Sequence, residues 1–172
     1  MGQGWRRALA ACIMLELTAL GTWIGGLVIL VGAVIPAVFN TFGAQDSGGF
    51  FLTRAFEGYN RIVLIAVAVL ILGTVGRAWL NHRGIIDYPV SSSEWNVLGL
   101  MVLIAGAITF VLHPQAAALQ AQAFATKGDA ARKIAFDAFF RLHWPIRILY
   151  MANMGLGIVL LGIRIRSWIE RT

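Results

Sequence analysis

Histidine is the residue type whose placement in this chain suggests redox or metal chemistry. His113 and His143 flank a polar stretch between two apolar segments, so in a chain that crosses a membrane both would lie on the same side. Two neutral imidazoles can ligate a haem iron, or bind a divalent metal together with Asp46 or Asp137. Arg147, one helical turn after His143, could neutralise a haem propionate. The alternative is that both histidines hydrogen-bond backbone groups at an interfacial turn.

Sulfur ligands suggest a second kind of metal site. Met151 and Met154 are three residues apart, and thioether sulfur is a ligand for Cu(I). The candidate metal ligands are therefore His113, His143, Met151 and Met154, and the candidate cofactors are haem b and copper. Packing is the alternative role for these methionines. Cys12, the sole cysteine, has no second thiol for a disulfide or a Cys-based metal site.

A carboxylate interrupts the first apolar segment. Glu16 lies about two turns into it, where an ionised carboxylate costs on the order of 2.5–3.5 kcal/mol by analogy with Asp on insertion scales. We expect Arg77 to be its partner, because the second apolar segment returns to the same side and places that arginine at a similar depth. The pair would either join two helices, as an ion pair or around a protonated Glu16, or form a proton or cation site.

The last apolar segment carries polar groups along one helical face. His143, Arg147, Tyr150 and Met154 lie at i, i+4, i+7 and i+11, and Asn153 lies beside them. We expect this face to point toward the bundle interior or a wet cavity, because exposure to lipid would leave the arginine and the asparagine unpaired. The alternative is hydrogen bonding between helices combined with snorkelling to the interface.

Composition identifies the elements that must position these residues. The 172 residues are 59% hydrophobic and 13% charged, with a mean hydropathy of +0.76, whereas soluble domains contain about 25% charged residues. Residues 17–39 carry no charge and are long enough to cross the roughly 30 Å hydrocarbon core of a bilayer. The sequence predicts one transmembrane domain, residues 1–172, with spans at about 8–39, 58–80, 95–113 and 144–168.

The predicted fold is an all-α, integral membrane four-helix bundle with an amphipathic interfacial helix between spans three and four. That helix is indicated by helical periodicity of apolar against charged residues: Ile134, Phe136, Phe139 and Phe140 against Arg132, Lys133, Asp137 and Arg141. Small residues recur where helices could touch: Gly21 and Gly25, Gly73 and Gly76, Gly99 and Gly106, and Gly155, Gly157 and Gly162. Close backbone approach at such positions favours a compact bundle.

Charge distribution suggests anchoring in the membrane. The net charge of +6 comes from 14 Lys and Arg that cluster at the ends of the apolar runs, as headgroup anchors do, so no nucleic-acid partner is expected. Lys and Arg divide equally between the two sides. The pair Arg6 and Arg7 favours cytoplasmic termini. The run that follows this pair is much longer than a signal peptide's, which predicts a retained first span.

Several diffuse motifs carry a family resemblance. They are Trp23-Ile24-Gly25-Gly26, Pro36 to Phe39, Gly48 to Phe56 leading into Tyr59-Asn60-Arg61, and Phe140 to His143. The chain resembles the bacterial four-span membrane family named only as a domain of unknown function, DUF4149, kin to eukaryotic transmembrane protein two hundred and five. The resemblance makes Trp23, Gly25, Gly26, Pro36 and Phe39 structural motif residues, and implies a four-span fold in the bacterial inner membrane.

The resemblance also bears on cofactors. The family stands beside copper-resistance membrane proteins and small membrane protoporphyrinogen oxidases, some of which hold haem or metal through histidines. The haem histidine of those oxidases lies in their first span, where this chain has none. The family itself has no assigned reaction.

Three functional hypotheses remain open. No Walker loop, dinucleotide-binding glycine motif, HExxH or Gly-x-Ser-x-Gly elbow is present, so catalysis is not expected. The first hypothesis is a non-catalytic accessory or assembly subunit, as a homo-oligomer or within a larger membrane complex. The second is a haem- or metal-handling redox protein that uses His113 and His143. The third is a proton-coupled carrier that uses Glu16 and requires a homodimer.

Overall fold

The computed structural model describes residues 3–43 and 46–169, and every regular element in those two ranges is helical. The helices are α1 (Gln3–Ile29), α2 (Ile35–Phe42), α3 (Asp46–His82), α4 (Ser92–Gly106), α5 (His113–Ala125) and α6 (Asp129–Ile169). Two π-helical segments, Leu30–Val34 and Ala107–Leu112, join α1 to α2 and α4 to α5 without a break.

Four continuous helical stretches are long and apolar enough to cross a membrane. They are Gly4–Phe42, Asp46–His82, Ser92–Ala125 and Asp129–Ile169, here called spans one to four. The predicted all-α architecture with four spans is thus confirmed. Each span is longer than predicted, and span two begins twelve residues before the expected start at residue 58.

Prolines explain where the two π-helical segments occur. Pro36 and Pro114 are each the second residue after such a segment. A proline inside a helix has no N–H to donate, and its ring clashes with the carbonyl one turn earlier. A wider π turn re-routes those hydrogen bonds, so the helix continues past the proline instead of ending.

The region between spans three and four differs from the prediction. No separate amphipathic helix is present there: α5 continues span three, and residues 129–143 are the beginning of the 41-residue helix α6, with Pro145 inside it. The prediction ended span three at residue 113 and began span four at residue 144 because the residues between them are polar or amphipathic. The structure instead has a hairpin in which α5 packs against α6.

The apolar core lies along the middle of the bundle. Leu20, Leu27, Leu70, Met101 and Leu160 are almost completely buried, one or more from each span. Spans one and two pack against each other, and α4 packs against α6. In spans two, three and four these residues lie between polar groups nearer the two ends, so an apolar layer separates two polar regions.

Glycines allow close helix contact at some of the predicted positions. A Cβ on Gly73 would lie 2.7 Å from Glu16 Cγ, and one on Gly157 would lie 3.1 Å from Ile24 Cγ1. Gly76 approaches Cys12 in the same way. The remaining glycines predicted to make such contacts have no atom within 4 Å of an added Cβ: Gly21, Gly25, Gly99, Gly106, Gly155 and Gly162.

Candidate functional site

A cavity of about 580 Å³ lies at the end of the bundle that contains the α5–α6 hairpin. All four spans contribute to its wall, and its volume is in the range of small-molecule pockets. Most of the lining is apolar, and it includes Phe39, Phe56, Phe124, Phe136, Phe139 and Phe140. Such a wall favours a ligand with an apolar or aromatic body.

The residues predicted to bind a cofactor converge on this cavity. His113, at the first position of α5, and His143 and Arg147, on α6, all line it. Met151 lines it as well, whereas Met154 packs half-buried against the bundle core. The structure therefore brings the histidine pair and the arginine together and separates the two methionines.

Aromatic contacts fix the wall around His143. Its ring stacks on Phe139 with centroids 5.1 Å apart and an interplanar angle of 28°. Phe139 contacts Phe140 at 5.3 Å, and Phe136 contacts Phe124 of α5 at 5.6 Å. These contacts run along the hairpin and hold one imidazole at the cavity surface.

Three contacts attach the hairpin to α3. Thr53 donates a short hydrogen bond to Gln120, and Arg132 Nη2 donates to both carboxylate oxygens of Asp46 at 2.6 and 2.8 Å. Gly49 lets Phe124 approach so closely that an added Cβ would lie 2.7 Å from the ring. Both helices of the hairpin, α5 and α6, are thereby fixed to span two.

Tyr150 connects the cavity lining with buried polar groups of the bundle. Tyr150 lines the cavity and donates a 2.8 Å hydrogen bond to Asn60 Oδ1. One turn further along α6, Asn153 donates to the Met101 carbonyl at 3.4 Å. Tyr150 and Asn153, the intramembrane polar residues predicted on α6, are both buried and face the bundle interior.

The structure also bears on the predicted divalent metal site. In the two described ranges no group of three or more His, Cys, Asp or Glu side chains is placed to hold a metal ion. Asp46, considered as a third ligand beside His113 and His143, is bound by Arg132 instead. Within those ranges, His113 and His143 therefore have no carboxylate completing a three-residue cluster.

A second polar site lies at the opposite end of the bundle. It is a buried quartet that takes one residue from each span: Glu16, Arg77, Glu94 and Arg164. Glu16 Oε1 lies 3.5 Å from Arg77 Nε, and its Oε2 lies 3.2 Å from Arg164 Nη1. Glu94 makes a short ion pair with Arg77 and lies 3.5 Å from Arg164 Nε. Two carboxylates face two guanidinium groups, so the formal charges cancel.

Neighbouring groups hold the quartet in place. Arg164 Nη2 donates a 2.8 Å hydrogen bond to Thr74 Oγ1, and Arg77 lies 4.9 Å from the centroid of the Tyr88 ring. Ser91 caps α4 and forms a capping box with Glu94, donating its backbone N–H to Glu94 Oε1 at 3.4 Å. One carboxylate thus belongs both to a helix cap and to the charge network.

Sequence reasoning anticipated half of this quartet. Arg77 is the partner predicted for Glu16, whereas the sequence analysis predicts no such role for Arg164 or Glu94. Two signals could have identified the missing members. Arg164 lies eleven residues after Asn153, on the same helical face, and Glu94 follows Ser91 at the capping-box spacing.

The motif residues of the first span occupy three different environments. Trp23 is buried, and its carbonyl accepts a 3.0 Å hydrogen bond from Tyr59. The Tyr59 ring packs on Gly26, where an added Cβ would lie 3.1 Å away. Phe39 lines the cavity, beyond the helical irregularity at Pro36. These motif residues pack spans one and two together and help to form the cavity.

Comparison with known proteins gives one match. Residues 18–125, from within α1 to the end of α5, match a family model described as a domain of unknown function, DUF4149. No curated protein and no solved structure matches the chain.

Proposed function

We propose that this chain, which belongs to the DUF4149 family, is a membrane-embedded binding protein whose cavity takes an amphipathic ligand. The observation that supports the proposal is the convergence of His113, His143 and Arg147 on one largely apolar cavity. A few polar groups set in an apolar wall are typical of sites that orient a ligand with an apolar body. We place the protein in the bacterial cytoplasmic membrane with both termini on the cytoplasmic side.

Haem b is the specific ligand that we put forward. Its flat ring suits a wall rich in phenylalanine, and the donor set suits its polar groups: two imidazoles for the iron and a guanidinium for a propionate. Haem supplies one-electron redox chemistry when it is bound. His113 and His143 would hold the iron, and Arg147 would hold the acidic edge. Copper has less support, because Met154 lies away from the cavity.

The decisive experiment is to identify what the native protein carries. The full chain is purified in a mild detergent, and its oxidised and dithionite-reduced spectra are recorded beside native mass spectrometry of the same sample. We expect a bound small molecule in one-to-one ratio, with a Soret band if the ligand is haem. A protein that carries no small molecule and does not bind added haemin would overturn the proposal.

Matched variants test whether the cavity holds that molecule. Ala117 lines the cavity and its neighbour Ala118 does not, so Ala117→Phe should expel the ligand and Ala118→Phe should retain it. For haem, His113→Ala and His143→Ala should abolish the Soret band, whereas His82→Ala, at the end of α3, should leave it unchanged. Equal ligand occupancy in Ala117→Phe and Ala118→Phe, or a Soret band equally affected by His82→Ala and by the two cavity histidine variants, would place the ligand outside the cavity.

An accessory or assembly subunit of a membrane complex is the second candidate. The observation that favours it is a set of glycines with no atom within 4 Å of an added Cβ: Gly21, Gly99, Gly155 and Gly162, all exposed. Such positions allow close approach of a helix from another chain. We expect Gly99→Leu and Gly155→Leu to release a co-purifying chain without lowering the thermal stability of this one. Unchanged co-purification in both variants would count against this candidate.

A proton-coupled carrier that uses Glu16 has less support. Both carboxylate oxygens of Glu16 lie within 3.5 Å of an arginine, in an almost fully buried network. An ion pair with two arginines suits a residue that joins helices better than one that exchanges protons or cations.

A further inference from the structure

The charges around the cavity favour an acidic group on its ligand. Asp46 and Arg147 line the cavity, and Asp46 is neutralised by Arg132, which donates to both of its oxygens. Among the described residues, no ion pair involves Arg147. The cavity therefore presents one uncompensated guanidinium, beside two imidazoles, to whatever occupies it.

The position of Arg147 along α6 places this charge near a membrane surface. Arg147 precedes Arg164 of the buried quartet by seventeen residues, about 26 Å of α-helix at about 1.5 Å per residue. The hydrocarbon core of a bilayer is roughly 30 Å thick. The quartet and Arg147 thus lie near opposite boundaries of the hydrocarbon, and Arg147 is at the depth of lipid headgroups.

The cavity opens toward the outer face of the bundle at the same place. Arg147 and Met151 line the cavity and also a shallow cleft on the outside of α6, together with Trp144 and Ile148. Phe39 of α2 also lines the cavity and is 55% exposed. An exposed apolar surface on a membrane span faces lipid, so the opening connects the cavity with the bilayer.

We propose that the ligand is a membrane-dissolved amphiphile with an acidic headgroup, which enters laterally from the bilayer past Met151 and binds its headgroup at Arg147. This inference rests on the proposed function, because it requires that the cavity bind an amphiphile. Beyond that function, the inference specifies the charge of the ligand and the route by which the ligand enters the cavity. A guanidinium and an acidic headgroup form a charge-assisted hydrogen bond, which is about twice as strong as a hydrogen bond between neutral groups.

Phosphatidylglycerol is a suitable probe, with phosphatidylcholine as the neutral comparison. The full chain is reconstituted in nanodiscs that contain both lipids, and native mass spectrometry measures which lipid remains bound after the disc is removed. We expect about a tenfold preference for phosphatidylglycerol in the wild type. Arg147→Gln should abolish the preference, and Arg147→Lys, which keeps the charge, should restore most of it.

Arg141→Gln is the matched control. Arg141 is also an exposed arginine on α6, six residues earlier and outside the cavity lining. This variant should keep the wild-type preference. Equal retention of both lipids by the wild type, or equal loss of preference in Arg141→Gln and Arg147→Gln, would overturn the assignment of the headgroup to Arg147.

The route is tested by the rate of uptake. Met151→Trp should slow the appearance of bound phosphatidylglycerol several-fold after protein is added to preformed bilayers. Ile158→Trp, an exposed position on α6 outside the cavity, should not. Unchanged rates in both variants would overturn lateral entry. Failure of the proposed function is distinguishable, because the cavity-filling Ala117→Phe would then leave all lipid and haemin binding unchanged.

Discussion

The two polar ends of this bundle are built in opposite ways. At one end the buried quartet joins all four spans, and its four side chains are at most 5% exposed. At the other end the polar groups lie around a cavity of about 580 Å³, and Arg147 is exposed. The first end satisfies its charges internally, whereas the second leaves imidazoles and a guanidinium on an accessible surface.

This difference agrees with the proposed division of roles, in which the quartet stabilises the bundle and the cavity binds a ligand. Ionisable groups inside a membrane are functional candidates by default. By that rule alone, Glu16 and Arg77 are candidates of the same standing as His113. The two sites differ in their access to a ligand. The charges of the quartet cancel within the protein, whereas the polar groups of the cavity are accessible. Substitutions should therefore affect stability at the quartet and occupancy at the cavity.

Removing one arginine from the quartet should produce the largest loss of stability. Arg77→Met leaves Glu16 and Glu94 buried with a single cation, and breaking a buried ion pair costs about 3–5 kcal/mol. We expect a large drop in the thermal unfolding temperature in detergent, measured by tryptophan fluorescence. Arg54→Met is the control, because the Arg54–Glu57 pair is exposed and should contribute nothing measurable. Equal melting of both variants would contradict the stabilising role of the quartet.

A methyl group beside the quartet should have the next largest effect. Ala at position 73 would place its Cβ 2.7 Å from Glu16 Cγ and 3.2 Å from the Cys12 carbonyl oxygen, and overpacking costs about 1–3 kcal/mol. Gly99→Ala is the matched control, since an added Cβ there meets nothing within 4 Å. The control should melt at or above the wild-type temperature, because Ala favours helix. A Gly73→Ala protein as stable as Gly99→Ala would show that span one can shift.

The fold was largely predictable from sequence because its main signal is simple. Charge-free runs long enough to cross a bilayer define the spans whatever their neighbours are. The hairpin of α5 and α6 was not predictable in the same way, because its residues are polar or amphipathic and the prolines Pro114 and Pro145 disfavour a continuous helix. Whether a π turn or a kink absorbs a proline depends on packing against other helices, which a single sequence does not contain.

The candidate site was predictable where the argument depended only on the side of the membrane. His113, His143 and Arg147 converge because span ends on the same side lie close together in a bundle. Glu94 and Arg164 were missed for the opposite reason. Charged residues near span ends normally interact with headgroups. The residue types and positions of Glu94 and Arg164 therefore give no sign that their side chains turn inward. The α6 helical face shared with Asn153 was the available signal for Arg164.

The hydrogen bond below the cavity should contribute less than the quartet. Tyr150→Phe removes the donor to Asn60 Oδ1, and hydrogen bonds between membrane helices contribute about 0.6–1.7 kcal/mol. We expect a modest drop in unfolding temperature. The same substitution in an Asn60→Val background should have a smaller effect, because the acceptor is already absent. Equal effects in the two backgrounds would mean that the Tyr150 hydroxyl does not act through Asn60.

The smallest effect on stability is expected at the cavity, although Ala117→Phe is the bulkiest of the substitutions. Ala117→Phe adds a phenyl ring on a half-buried residue that lines the cavity, so the ring can occupy existing space. Without added ligand, its unfolding temperature should be closer to that of the wild type than that of Gly73→Ala, even though Gly73→Ala adds only one carbon. A phenyl ring tolerated at one end and a methyl group rejected at the other would support the distinction between an open binding end and a closed structural end. If Ala117→Phe is the less stable variant, the cavity wall is as tightly packed as the quartet, and the distinction between the two ends fails.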